Sequence, residues 1–145
     1  MSTCSTKTRF GVKLNIPHLK NELILIEDWL ANIHCESRNT QFVLTALNVD
    51  KKELKKNGKS IYDEIDRFYG INRNDGSIPW HQRSKYYITV TIPKDTKLIV
   101  DRIFIRAGAS NYDSVTFRIP KTKKSKLHGR FWVKLDNANE LIYEV

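Results

Sequence analysis

Cysteine is scarce in this chain: 145 residues carry two, Cys4 and Cys35. Neither belongs to a CxxC pair or to a His/Cys cluster with ligand spacing, so disulfide scaffolds and zinc ribbons are excluded and a reducing compartment fits best. Long apolar runs are missing too. The longest, Leu23 to Ile26, falls far short of the roughly 20 residues of a membrane span, and the first residues lack the apolar stretch of a signal peptide. The expectation is a soluble, cytoplasmic protein with no membrane partner, in the host cytoplasm if a phage encodes it. The six glycines form neither GxGxxG nor a P-loop, which removes the common nucleotide-cradling loops. No cofactor and no metal is expected, because the four histidines are too dispersed.

Acidic residues are also in deficit. Lys+Arg number 25 against Asp+Glu 16, giving a net charge of +9. With 40% hydrophobic and 10% aromatic residues, the chain can bury a core and is long enough for one domain. That domain is expected over residues 10–145, with residues 1–9 as a flexible N-terminus. The charge is unevenly spread: residues 1–70 carry +2 and residues 71–145 carry +7. Such asymmetry marks a surface for polyanions, either nucleic acid or an acidic protein surface.

Phe10 to Ile16 alternates as a half-buried strand. Leu19, Leu23, Ile26, Leu30 and Ile33 recur at three and four, widened by Leu25 and Trp29, and predict a helix from His18 to about His34. Gln41 to Leu47 reads as a strand. Asp50 with Glu53 has the form of an N-cap followed by a carboxylate, so a second helical region starts there. Gly58 interrupts it, Ser60 recaps it, and Gly70 stops it. Ile71 to Lys85 reads as a loop. Five strands follow, at Tyr86–Ile92, Leu98–Arg106, Ser114–Ile119, Arg130–Leu135 and Leu141–Val145. The fold class is α+β: two N-terminal helices with short strands, packed on a C-terminal five-stranded antiparallel sheet or small barrel.

If the turn between the second and third of these strands is 107–111, odd positions gather Ile99, Ile103, Ile105, Val115, Phe117 and Ile119, joined by Phe131, Val133 and Leu135. The opposite face then carries Val100, Arg102, Phe104, Arg106, Tyr112, Arg118, Arg130, Trp132 and Lys134. Cations interleaved with rings suit single-stranded nucleic acid, since guanidinium groups neutralise phosphates and rings stack bases. Lys121, Lys123, Lys124 and Lys126 would flank this face as a basic arm. The alternative for Phe104 and Trp132 is a second, smaller core beneath the helices. Asp101 falls among core positions and calls for a basic partner or a bulge.

Three residues are candidates for catalysis. His81 and Arg83, in a loop with Asp75 and Lys85, could move a proton and stabilise charge on a phosphodiester, and His128 could supply a second imidazole. His34-Cys35 suggests a nucleophile pair, but a partly buried structural thiol is the simpler assignment. Thr91 to Leu98 resembles the strand-turn-strand that follows the catalytic glutamate of mono-ADP-ribosyltransferases. Lys85 to Val90 holds no such glutamate, so the resemblance implies no activity.

Three functions follow. The first is RNA or single-stranded DNA binding by the cationic-aromatic face. The second is a phage or mobile-element accessory protein that inhibits a host nucleic-acid-handling or defence protein by direct binding. The third is a small metal-independent nuclease. Enzymatic activity is the less favoured, and the free edges of a five-stranded sheet would permit a homodimer.

Overall fold

The computed structural model describes residues 6–7, 13–14, 22–71, 80–105, 113–123 and 126–145. Two short strands, β1 (Thr6–Lys7) and β2 (Lys13–Leu14), pair with each other. β3 (Glu22–Leu25) and β4 (Trp29–His34) occupy the segment that the apolar spacing assigned to a helix. The structure corrects that assignment. Leu23 and Leu25 are buried while Glu22 and Ile24 are exposed, and Trp29, Ala31 and Ile33 are buried in turn. Leu30, a member of the expected helical stripe, is 57% exposed, whereas Ala31 outside it is fully buried. Short apolar runs satisfy both periods, and the choice here is made by distant partners that no local pattern contains: β3 lies beside Leu98 and Ile99, β4 beside Tyr87 to Ile92.

The reverse error occurs next. Gln41 to Leu47, read as a strand, forms α1 (Thr40–Ala46), in which Phe42, Val43 and Leu44 are all buried. Three consecutive buried side chains carry no period, so the run could not announce a helix. α2 (Lys51–Lys56) and α3 (Ile61–Phe68) follow the caps expected of them. Asp50 Oδ1 accepts from Lys52 N at 2.9 Å and Ser60 Oγ from Tyr62 N at 3.2 Å. Gly70 then adopts φ +71 as the chain leaves α3, a left-handed conformation that glycine enters without steric cost.

A 3-10 segment, Trp80–Lys85, leads into β5 (Tyr87–Ile92), β6 (Lys97–Phe104), β7 (Ser114–Ile119) and β8 (Gly129–Lys134). A short helix, α4 (Leu135–Ala138), precedes β9 (Tyr143–Glu144). The architecture is α+β with a five-stranded antiparallel sheet in the order β8-β7-β6-β3-β9. That sheet is open, so the barrel alternative is corrected, and α4 lies late in the chain rather than with the N-terminal helices. Its five strands also differ from those expected. β3 enters from the N-terminal half, while β5 leaves to pair with β4 in a separate ribbon.

The core lies between sheet, ribbon and α1. The Trp29, Phe42, Phe117 and Phe131 rings meet there, with Phe42 stacked on Phe131 at 4.2 Å and Trp29 edge-on to Phe117 at 5.6 Å. Two buried asparagines join the ribbon to the sheet where strand pairing stops. Asn137 Oδ1 accepts from Asn32 N at 2.7 Å and its Nδ2 donates to Leu30 O at 3.0 Å. Asn39 Oδ1 accepts from Trp132 N at 2.8 Å, and its Nδ2 donates to His34 O at 3.1 Å. Each carboxamide supplies the donor and acceptor of a missing strand.

Candidate nucleic-acid interface

The register of β6 and β7 shifts between Val100 and Arg102, making Asp101 the extra residue of a β-bulge. The shift splits the expected face assignment. Before it, Leu98 and Val100 are buried and Ile99 lies opposite Arg118, so Ile99 belongs to the outer face and Val100 to the core. After it, Ile103 pairs with Val115 while Arg102 and Phe104 face outward opposite Thr116 and Ser114, as the alternation required. A bulge adds one residue to one strand and so reverses parity on one side of itself only.

On the outer face β7 and β8 set Arg118 directly opposite Arg130. Like charges so placed repel. The bulged Asp101 lies between them, Oδ1 at 3.5 Å from Arg118 Nε and Oδ2 at 3.1 Å from Arg130 Nε. One carboxylate shared by two guanidiniums leaves the cluster net positive, and both arginines remain about half exposed or more. Along β6, the Arg102 guanidinium lies 5.2 Å from the Phe104 ring centroid, and Phe104 is 38% exposed.

Beyond Arg118 the face runs into an open groove of about 1000 Å³ to which Lys94, Lys97 and Lys126 contribute, with Glu22 and Asp95 as its acidic members. Lys97 Nζ is 3.2 Å from Glu22. Lys121, Lys123 and Lys126 are exposed. Arg106, Tyr112 and Lys124 lie outside the described residues. Lys94 and Lys97 were absent from the expected set. They flank the β5-β6 turn, and Lys97 lies before the bulge on β6, where the pairing that sets Ile99 opposite Arg118 turns odd positions to the outer face rather than to the expected core.

Trp132 and Lys134 share this face but are half-buried. The Trp132 ring stacks on His34 at 5.4 Å with 7° between planes, and the Arg38 guanidinium lies 5.6 Å from its centroid. Trp132 Nε1 donates to Glu36 Oε2 at 2.9 Å. Burial pushes the Glu36 carboxyl up, but the hydrogen bonds from Trp132 and Arg38 outweigh it and hold the group below its usual range. Trp132 is thus engaged by the segment that follows β4.

Of the catalytic candidates, Arg83 is held in an ion pair. Arg83 donates to Asp66 Oδ2 at 2.8 Å, with side chains 17% and 4% exposed. The pair borders a cavity of about 210 Å³ that Cys35, Glu36, Ser37 and Ser84 also line. Burial pushes the Cys35 thiol up, against the pull of Arg83. His34 faces Tyr87 and Trp132 instead. Its Nδ1 is 2.7 Å from Ser84 O, and burial lowers its pKa, so it is the neutral ring that donates there. His128 is half-buried just before β8, and the side chain of His81 lies outside the described residues. Among the described residues no three His, Cys, Asp or Glu side chains gather as a metal site, and no helix is long and apolar enough to cross a membrane. Comparison with protein-family models, curated proteins and solved structures finds no match to this chain.

Proposed function

We propose that the protein is a nucleic-acid-binding module that takes single-stranded RNA or DNA on the outer face of its five-stranded sheet. The observation that carries this reading is the exposed Arg118-Arg130 pair, held by a single carboxylate and continuous with the Lys94, Lys97 and Lys126 groove. A cationic track only partly compensated by Asp101, Glu22 and Asp95 costs self-repulsion, which a phosphate backbone would relieve while releasing counterions. Phe104 supplies a ring beside Arg102 on which a base can stack, worth about 1–3 kcal/mol. Trp132, on the same face but held by His34, Glu36 and Arg38, fixes the β8 end of the track. Selection among sequences is weak in such an arrangement, because every base offers a π-face and every nucleotide a phosphate.

The test is fluorescence anisotropy with a short labelled oligonucleotide over a salt series. Affinity should fall linearly on logarithmic axes, with a slope of roughly −0.7 per phosphate neutralised. Arg118→Glu with Arg130→Glu should abolish binding, whereas reversing Lys51, Lys52 and Lys55 on α2 should leave it in place. No association at low salt, together with stoichiometric capture of an acidic protein, would overturn the proposal.

A further inference from the structure

The strand edges of this molecule are treated unequally. The β8 edge is met at Trp132 by Asn39, and the β4 outer edge is met at Leu30 and Asn32 by Asn137. β9, at the far side of the sheet, has two residues. β5 has six, and among the described residues its pairing is with β4 alone.

The phase of that pairing fixes what β5 offers. Cys35 N donates to Tyr86 O at 2.8 Å, so the hydrogen-bonded pairs that follow are Ile33 with Ile88, Ala31 with Val90 and Trp29 with Ile92. The N–H and C=O groups of Tyr87, Thr89 and Thr91 consequently point away from β4. The same phase turns Leu30 and Asn32 outward on β4, which is where Asn137 bonds them.

From Tyr86 to Pro93 the sequence carries no charge, although 28% of the chain is charged. Edge strands are ordinarily blunted by lysine, an internal proline or a bulge. β5 has none of these, and Ile88 to Ile92 is an unbroken β-branched run. Tyr87 is 54% exposed and Thr89 and Thr91 are exposed beside it.

We infer that β5 is the interface of a symmetric dimer, pairing antiparallel with β5 of a second copy about a two-fold axis at Thr89. In that register Thr89 meets Thr89 and Tyr87 meets Thr91, and each pair exchanges two hydrogen bonds. On the outer face Tyr87 comes to rest over the partner's Thr91, which is itself paired with Leu30, so the exposed Leu30 gains an apolar neighbour. On the inner face the half-buried Ile88 meets Val90. The result is one four-stranded sheet, β4-β5-β5-β4, with no like charges brought together along the seam. A second copy fits better than a phosphate chain, since this edge offers no cation. The edge is self-complementary, since the same three residues serve both sides.

The inference stands apart from the proposed function, and salt separates the two. Each copy carries +9, so screening should tighten the dimer while it weakens nucleic-acid binding. Sedimentation equilibrium of the full chain, freed of nucleic acid by a high-salt wash, should report a dimer that tightens from low to high salt. Thr89→Lys places two ammonium groups at the axis and should give a monomer with an unchanged far-ultraviolet circular dichroism spectrum, while Thr89→Val should remain dimeric. In a Cys4→Ser background, Thr89→Cys should crosslink two chains on oxidation, because Cα atoms in such a pair lie about 5.5 Å apart, within disulfide reach. Leu30→Cys, one strand removed, should not. A monomeric wild type at high salt, or a Thr89→Lys variant that still dimerises, overturns the inference.

Discussion

The carboxamide of Asn39 closes a ring with the backbone of Trp132, accepting from its N–H at 2.8 Å and donating to its carbonyl at 3.3 Å. Asn39 is fully buried, so water cannot replace it. Asn39→Ala should cost about 2–4 kcal/mol, because it strands a donor and an acceptor and also removes the bond to His34 O. Urea denaturation measures this, and a loss below about 1 kcal/mol would show that the β8 edge is held by other means.

Acid should weaken the protein in two windows. Burial depresses the His34 pKa below its ordinary 6.5, despite the Ser84 bond, with Lys134 lowering it and Asp136 raising it. The unfolded chain therefore takes up that proton first, and stability present above about pH 6.5 falls as pH drops below it. Glu36 is held below its ordinary 4.5 and adds a second loss beneath that value. Urea midpoints from about pH 8 down to about pH 3 should trace both, and His34→Gln should flatten the upper window alone.

Asp66 and Arg83 form the most enclosed ion pair among those described. Removing either side chain breaks a hydrogen-bonded ion pair with little access to water, so Asp66→Asn or Arg83→Met should each destabilise by about 1.5–3 kcal/mol. The double substitution should cost less than the sum of the two. Additive losses in a double-mutant cycle would argue against coupling.

Asp101→Asn provides a gain-of-function test of the sheet face. It removes the carboxylate shared by Arg118 and Arg130, so oligonucleotide affinity should rise and its salt dependence should steepen. The stability cost should stay within about 1 kcal/mol, since both guanidiniums are largely solvated. Weaker binding by this variant would remove the face from consideration.

How much of this was legible depends on where the information lay. The caps at Asp50 and Ser60, the stop at Gly70 and the strands β6, β7 and β8 were readable, because turn chemistry and clean alternation are local. β3, β4 and α1 were not, because Leu23 to Ile33 satisfies two periods and Phe42 to Leu44 satisfies none. The outward placement of Arg102, Arg118 and Arg130 was readable despite the bulge, since Arg102 follows Asp101 where the expected parity holds, and Arg118 and Arg130 lie on β7 and β8, whose own alternation is unbroken. Lys97 escaped notice because the bulge at Asp101 reverses the parity of β6 before it, turning odd positions outward, and Lys94 because it lies in the turn that precedes β6.

β3 has consequences for how the molecule is made. It sits between β6 and β9, pairing Glu22 with Ile99 on one flank and Ile24 with Glu144 on the other. Both pairings close very long loops, which places the fold among slow-forming, high-contact-order topologies. During synthesis Leu23 and Leu25 emerge early but find no strand until β6 follows, and that side of the sheet stays open until Tyr143 and Glu144 have left the ribosome. Leu23 and Leu25 must therefore stay unpaired until β6 has been made, while residues 1–70 that precede it carry a charge of only +2 and so offer little electrostatic protection against aggregation.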